Sequence, residues 1–331
     1  MTPTTNRSVV VTAAGERDVL AVQDLPIPEP GPGQLLVRVS ASGVNFKDVY
    51  ERQGVYQVAT PFVLGSEGAG TVESAGADAA GFEPGEVVAW ADARGSHADY
   101  VLVEAQKAVP VPDGVSAELA AAAMLQGMTA QYLVSSTYTV QSGDAALVHA
   151  AAGGVGQLLV QMIKNRGGRV IATTSTDVKA AKARAAGADE VIDYSQITES
   201  GALAAAVREA NGGAGVQVVY DGVGKATFDA SLASLEPRGM MVLFGGSSGQ
   251  VPPFEIQRLN SGGSLFLTRP TLVHYTRTRD ELLWRAGDVL GAIADGSLQL
   301  EIGGRYPIED VVQAYDDLEN RRTTGKLVIG R

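Results

Sequence analysis

Between residues 145 and 268 the chain alternates short, almost wholly apolar runs with helical segments, and this alternation limits the possible folds more than any other feature. Residues 145–149, 170–174, 190–192, 216–221, 240–244 and 264–268 read as strands. Residues 155–165, 177–186, 203–210 and 226–235 read as helices between them, and an Ala-rich helix N-capped by Ser116 precedes the series. Near-continuous apolar strands need cover on both faces. The expectation is therefore an α/β chain whose middle forms a doubly wound parallel sheet of the nucleotide-binding kind.

The flanks follow a different grammar. Up to about residue 110, β-branched runs at 8–12, 35–40 and 100–103 are separated by Pro/Gly clusters such as residues 26–33, which suggests a small barrel or curled sheet. One helix is expected over residues 45–52, stopped by Gly54. From Arg269 on, helices at 279–294 and 308–321 and a strand at 326–329 show no further alternation, so the tail is expected to fold back onto the first third.

The segment His149-Ala150-Ala151-Ala152-Gly153-Gly154-Val155-Gly156 joins an expected strand to an expected helix. A glycine turn in that place lets backbone N–H groups at a helix N-terminus approach a pyrophosphate. The second strand ends in Thr173-Thr174-Ser175-Thr176, with hydroxyls where an NAD site needs an acid, and Lys179 follows in the next helical turn. Like charges 4 Å apart cost up to about 4 kcal/mol at an effective dielectric near 20. Asp177 reads as a first-turn residue favoured by the helix dipole. The residues thus favour NADPH over NADH.

Composition removes other classes. Lys plus Arg is 26 and Asp plus Glu is 37, a net charge of −11, and no basic run interleaved with aromatics offsets it, so nucleic-acid binding is disfavoured. The longest nearly apolar stretch, residues 145–160, is too short for a membrane span, and a cytoplasmic protein is expected. Cysteine is absent, which excludes disulfides and Cys-ligated zinc. His97, at a strand start, His149, placed where a ring N–H can satisfy backbone carbonyls, and His274 share no ligand spacing; no metal site is expected. No G-x-S-x-G elbow supports a hydrolase. Asp221, after a buried strand, reads as a backbone-bonding residue rather than a base.

The glycine turn, residues 43–50 (Gly-Val-Asn-Phe-Lys-Asp-Val-Tyr) and 65–70 (Gly-Ser-Glu-Gly-Ala-Gly), and further matches at 126–130, 219–221, 244–249 and 267–270 carry a resemblance from about Val9 to the end. The chain resembles the medium-chain dehydrogenase/reductase superfamily, and more closely its zinc-free quinone oxidoreductases, which include zeta-crystallin. That resemblance implies a discontinuous GroES-like catalytic domain, residues 1–126 and 268–331, around a Rossmann domain at 127–267 that binds NADPH. It implies Phe46, Asn45 and Tyr50 beside the nicotinamide, Tyr56 at the cleft mouth and Thr129 near the nicotinamide half. Gly153, Gly154, Val155 and Gly156 would hold the pyrophosphate, while Thr174, Ser175, Lys179 and Tyr194 would surround the 2′-phosphate. Phe244, Gly245, Gly246, Ser247 and Ser248, with Leu267 and Thr268, would close over the nicotinamide side, and Arg321 would reach the cofactor from the tail. Arg269 is either a substrate-pocket cation or a hinge residue before Pro270. Residues 51–56 lack the proline that often follows this tyrosine in the family.

The expected reaction is hydride transfer from NADPH to a quinone, with an α,β-unsaturated carbonyl as the alternative acceptor. Without zinc, hydrogen-bond donors must stabilise the oxyanion, and Tyr50, Asn45 and backbone N–H groups are the candidates. The proton comes from Tyr50 or from solvent. A non-enzymatic RNA-binding or crystallin-like role is the remaining alternative. A homodimer is expected, paired through the strand edge at 264–268.

Overall fold

The computed structural model describes residues 5–79, 81–197 and 201–330. The chain divides into two units, Met1–Met128 with Thr276–Arg331, and Thr129–Tyr275. The first stretch runs β1 (Thr5–Val11), β2 (Leu20–Pro26), β3 (Gln34–Val44), α1 (Phe46–Arg52), β4 (Phe62–Val63), β5 (Gly68–Ala75), β6 (Val87–Trp90), β7 (Tyr100–Glu104), β8 (Val109–Pro110) and α2 (Ala117–Tyr132). The middle runs β9 (Ala145–Val148), α3 (Gly154–Asn165), β10 (Arg169–Thr174), α4 (Asp177–Ala185), β11 (Glu190–Asp193), α5 (Ala202–Ala210), β12 (Val216–Asp221), α6 (Phe228–Ser234), β13 (Leu235–Leu243), α7 (Gln257–Ser261) and β14 (Phe266–Thr268). The last stretch holds α8 (Arg279–Ala294), β15 (Ile302–Tyr306), α9 (Val311–Glu319) and β16 (Lys326–Gly330).

In the second unit all neighbouring strands pair in parallel, in the order β11-β10-β9-β12-β13-β14. Two runs of crossovers leave β9 in opposite directions, which is the doubly wound order with a switch between β9 and β12. Its core joins Leu147, Ile171, Val219 and Met241 from the strands to Val207, Phe228 and Leu232 from the helices.

The first unit is built around β3. That strand pairs antiparallel with β5, with β7 over Gln34–Arg38 and with β16 over Ala41–Val44. A smaller sheet, β2-β1-β4, completes the β-rich body. The tail returns to the first third as expected, but it contains a strand not expected from sequence. β15 and β16 are parallel and joined through α9, so strand–helix–strand alternation does continue past Arg269. β15 reads Ile-Gly-Gly-Arg-Tyr, and its two glycines hide the strand signal. The expected helix at 308–321 is a 3₁₀ turn, Ile308–Asp310, leading into α9.

First-third and tail residues share one core, in which Val9, Val11, Val44, Val49 and Phe62 pack with Val311, Tyr315, Leu327 and Ile329. No helix among the described residues is long and apolar enough to cross a membrane. Because Leu327 is almost fully buried in this shared core, Leu327→Ala should cost the first unit about 2–5 kcal/mol, read as a lower urea midpoint.

Candidate active site

In the second unit, the expected cofactor residues other than Thr129 and Lys179, which lie in α2 and α4, fall along one edge of the sheet. Each follows the carboxyl end of a parallel strand: the glycine turn after β9, Thr174 and Ser175 at β10, Tyr194 after β11, residues 244–248 after β13, and Leu267 and Thr268 at the end of β14. Open parallel sheets bind ligands at that edge.

The turn is held from both sides. His149 N–H donates to Tyr220 O at 3.1 Å and Ala151 N–H to Thr173 O at 3.3 Å. Ala150 takes a left-handed φ of 50°, and Gly153 is the extended N-cap of α3. Gly156 has no room for a side chain, since a Cβ there would lie 2.7 Å from Ala151 Cα and closer still to Ala150 O. The first turn of α3 carries no acidic residue to compete with an anion for its N–H groups.

Beneath the turn runs a buried polar chain. His149 bonds Thr173 Oγ1 at 2.9 Å and Ser231 Oγ at 3.0 Å, and Ser231 donates to Asp221 Oδ2 at 2.8 Å. The ring partners are hydroxyls rather than the backbone carbonyls anticipated from sequence. Burial pushes the His149 pKa down, with the Asp221 carboxylate acting against it. Asp221 also accepts from the N–H groups of Val223 and Gly224 and from Thr227 Oγ1, so it organises the loop after β12. The loops after β12 and β13 lie close together. Ser247 N–H donates to Gly222 O, and Ser248 Oγ bridges Ala226 N–H and Val223 O.

No carboxylate ends β10. Thr174 is buried, and its Oγ1 has no hydrogen-bond partner. Its register neighbour on β11 is Asp193, whose carboxylate accepts from Ser195 N–H, and Tyr194 follows. Thr176 caps α4 by accepting from Lys179 N–H at 3.3 Å, and Asp177 is exposed in that first turn. A buried hydroxyl without a partner beside half-buried Ser175 and Lys179 fits a phosphate-bearing ribose better than an adenosine 2′-hydroxyl. Arg269 is exposed just after β14.

In the first unit, α1 carries Phe46 and Tyr50, and Asn45 is its N-cap. Tyr50 is half-buried, edge-on to Tyr56 at 5.4 Å, and Tyr56 N–H donates to Tyr50 O at 3.0 Å. Tyr56 itself is 44% exposed. Asn45 lies deeper. Its amide donates to Gly43 O at 3.1 Å and Glu67 Oε1 at 2.8 Å, and its Oδ1 accepts from Lys326 Nζ at 2.7 Å. The side chain expected to donate to a substrate oxygen thus spends both N–H groups within the protein. Lys326 also pairs with Glu67 Oε1, and Glu67 Oε2 accepts from Leu125 N–H at 2.6 Å. Arg321 is exposed and has a left-handed φ of 57°. Thr129, half-buried in α2, is the first residue of the second unit.

A second buried chain adjoins the first. Asp48 Oδ2 accepts from Asn45 N–H and from Tyr315 O–H, both at 2.9 Å, and Asp48 Oδ1 accepts from Ser66 Oγ. Tyr315 also bonds His97 Nε2 at 2.8 Å, and His97 Nδ1 bonds Ser42 Oγ at 2.7 Å. The sequence alone assigns no role to Glu67, Lys326, Asp48 or Tyr315. Glu67 lay inside the glycine-rich 65–70 motif, whereas nothing near Lys326 or Tyr315 signals their partners.

Three comparisons bear on this site. A family described as "Alcohol dehydrogenase GroES-like domain" matches residues 31–113, and one described as "Zinc-binding dehydrogenase" matches 154–284. The chain is 41% identical to a quinone oxidoreductase of Pseudomonas aeruginosa, over 98% of this chain and 99% of that one. It is 37% identical to a 2-haloacrylate reductase of a Burkholderia species, over 97% and 98%. Among solved structures, a mycobacterial protein in complex with NADPH superposes with a TM-score of 0.95 at 48% identity, covering 98% of this chain and 100% of that one. A GroES-like β body with a doubly wound sheet of this strand order is the architecture of the medium-chain dehydrogenases and reductases. Within that superfamily the chain belongs to the quinone oxidoreductases, and it is an oxidoreductase.

The buried carboxyl and imidazole titrate in opposite senses. Burial raises the Asp48 pKa from 3.8 to about 7, opposed by Lys47 and Tyr315. Its stabilising effect is complete below pH 3.8 and disappears as pH rises through about 7. Burial, with the Lys326 ammonium, lowers the His97 pKa from 6.5 to about 3. Its effect is present above pH 6.5 and disappears as pH falls toward about 3. The two slopes cancel across the overlap. Asp48→Asn should leave the His97 slope alone, so the variant loses about 2 kcal/mol between pH 6.5 and 5 while the wild type loses much less from this pair, measured by urea midpoints.

Proposed function

We propose that this protein is an NADPH-dependent, zinc-independent quinone reductase. The observation that carries the reading is the end of β10, where a partnerless buried Thr174 hydroxyl and Lys179 stand in place of a carboxylate. The mycobacterial relative's complex with NADPH supports the same cofactor.

Bound NADPH supplies the hydride from nicotinamide C4. The N–H groups of Gly154, Val155 and Gly156 at the start of α3 hold the pyrophosphate, with Gly153 allowing the approach. Thr174, Ser175, Lys179 and Tyr194 bind the 2′-phosphate. Phe46, Thr129, Phe244 to Ser248, Leu267, Thr268 and Arg321 complete cofactor contact. Tyr50 donates its O–H toward the oxygen on which negative charge develops, and Arg269 supplies a cation for the acceptor. Asn45 acts by fixing the N-terminus of α1, since its own donors are engaged. Tyr56 borders the acceptor site.

The second reading, reduction of an α,β-unsaturated carbonyl, is supported by the name of the Burkholderia relative. Both acceptors become an enolate- or phenolate-like oxyanion, so the same donor serves either. Initial rates of NADPH oxidation with a benzoquinone and an α,β-unsaturated ketone in parallel test the proposal. Fast quinone and slow enone turnover is expected; the reverse makes the protein an enone reductase. NADPH binding with neither turnover would overturn both readings.

Lys179→Ala should raise the Michaelis constant for NADPH roughly ten- to hundredfold and leave that for NADH nearly unchanged, as loss of a charge-assisted hydrogen bond requires. A homodimer is proposed through β14, the edge strand of its sheet, where Phe266 is 56% exposed. Light scattering should then give twice the 34.3 kDa chain mass, and Phe266→Asp should shift it toward the monomer.

A further inference from the structure

We propose that Gln126 is a cofactor-recognition residue whose side-chain carbonyl accepts a hydrogen bond from the carboxamide of the nicotinamide ring. This rests on the NADPH-dependent reading above and assigns a contact that reading does not use.

Among the described residues, two buried side-chain oxygens have no hydrogen-bond partner: Thr174 Oγ1 and Gln126 Oε1. Folded chains leave few such atoms, because a buried acceptor without a donor forfeits its hydration; those that persist are commonly satisfied by something bound. Thr174 stands at the end of β10 and is explained by the adenosine side of the cofactor. Gln126 requires a donor of its own.

Its surroundings point to the reacting end. Gln126 directly follows Leu125, whose N–H donates to Glu67 Oε2 at 2.6 Å. The other oxygen of Glu67 accepts from Asn45, the N-cap of the helix that carries Tyr50. On α2, Gln126 precedes Thr129 by three residues, a spacing that puts both on one helix face.

The chemistry then selects the partner. A quinone or an α,β-unsaturated ketone offers only acceptor oxygens, so neither can satisfy a carbonyl. The nicotinamide end of NADPH carries donors, the ribose hydroxyls and the ring's amide NH₂, and of these the amide is the assigned partner. An acceptor at this position therefore recognises the cofactor and not the oxidant.

Calorimetric titration with NADPH and with its reduced 3-acetylpyridine analogue, which has a methyl group in place of the amide NH₂, tests the assignment. The wild type should bind NADPH about tenfold more tightly than the analogue. Gln126→Met, which keeps the length and volume of the side chain, should erase that preference by weakening NADPH alone. Gln126→Leu serves as a second apolar variant if the first folds poorly, with the unfolding midpoint measured for both. Equal weakening of both nucleotides, or no change in either, would overturn the proposal. So would a variant that binds both nucleotides normally but loses affinity for the hydroquinone product. A wild type that binds neither nucleotide would instead bring down the NADPH-dependent reading, and this assignment with it.

Discussion

The first unit depends on one buried ion pair. Glu67 and Lys326 are both almost wholly removed from solvent, and taking two charges out of water is costly unless each is fully paired. Here Asn45 bonds both charges and the Leu125 N–H meets the second oxygen of Glu67, so that four chain segments meet at one pair of charges. Gly43 is part of the same arrangement, because a Cβ at that position would run into Glu67 and Lys326. Removing either charge alone would leave its partner buried and uncompensated, the costly half of this type of interaction. The pair therefore acts less as a source of stability than as a fixed reference for the start of α1.

The second unit uses hydrogen bonds for a comparable purpose. Thr173, His149, Ser231 and Asp221 form a continuous polar chain through otherwise apolar packing, and each has its partner. This chain ties the glycine turn after β9 to the loop after β12, on either side of the switch in strand order. A neutral imidazole suits that position, since both of its neighbours are hydroxyls that can donate or accept.

What the sequence discloses and what it hides divide along physical lines. The alternation of residues 145–268, the glycine turn and the hydroxyl-rich end of β10 are local patterns, and they appear in the structure within a few residues of where the sequence suggests. Asp221 is likewise legible, because a carboxylate after a buried strand has few uses other than bonding nearby backbone. Partnerships across long separations are not legible. Nothing in the composition around Lys326 announces that its ammonium lies against Asn45 and Glu67, and Tyr315 gives no sign that it bridges Asp48 and His97. Asn45 shows the same limit from the other side: a motif marks it as functional, but only the fold reveals that its donors are already engaged. β15 is not legible because glycine contributes little to a strand signal, even where close packing against the segment 324–327 requires it.

The arrangement around α1 also sets an order of events during synthesis. Residues 129–275 contain every strand of their own sheet and can complete it as soon as they clear the ribosome. The first unit cannot, because Tyr315, Glu319 and Lys326 emerge well after the helix they anchor. Until then Asp48, Arg52 and Glu67, which the finished fold buries completely, each lack the partner that the tail supplies. The nascent chain would thus carry a finished nucleotide-binding sheet before the helix bearing Tyr50 is set, so that reductase geometry waits on the translation of the tail.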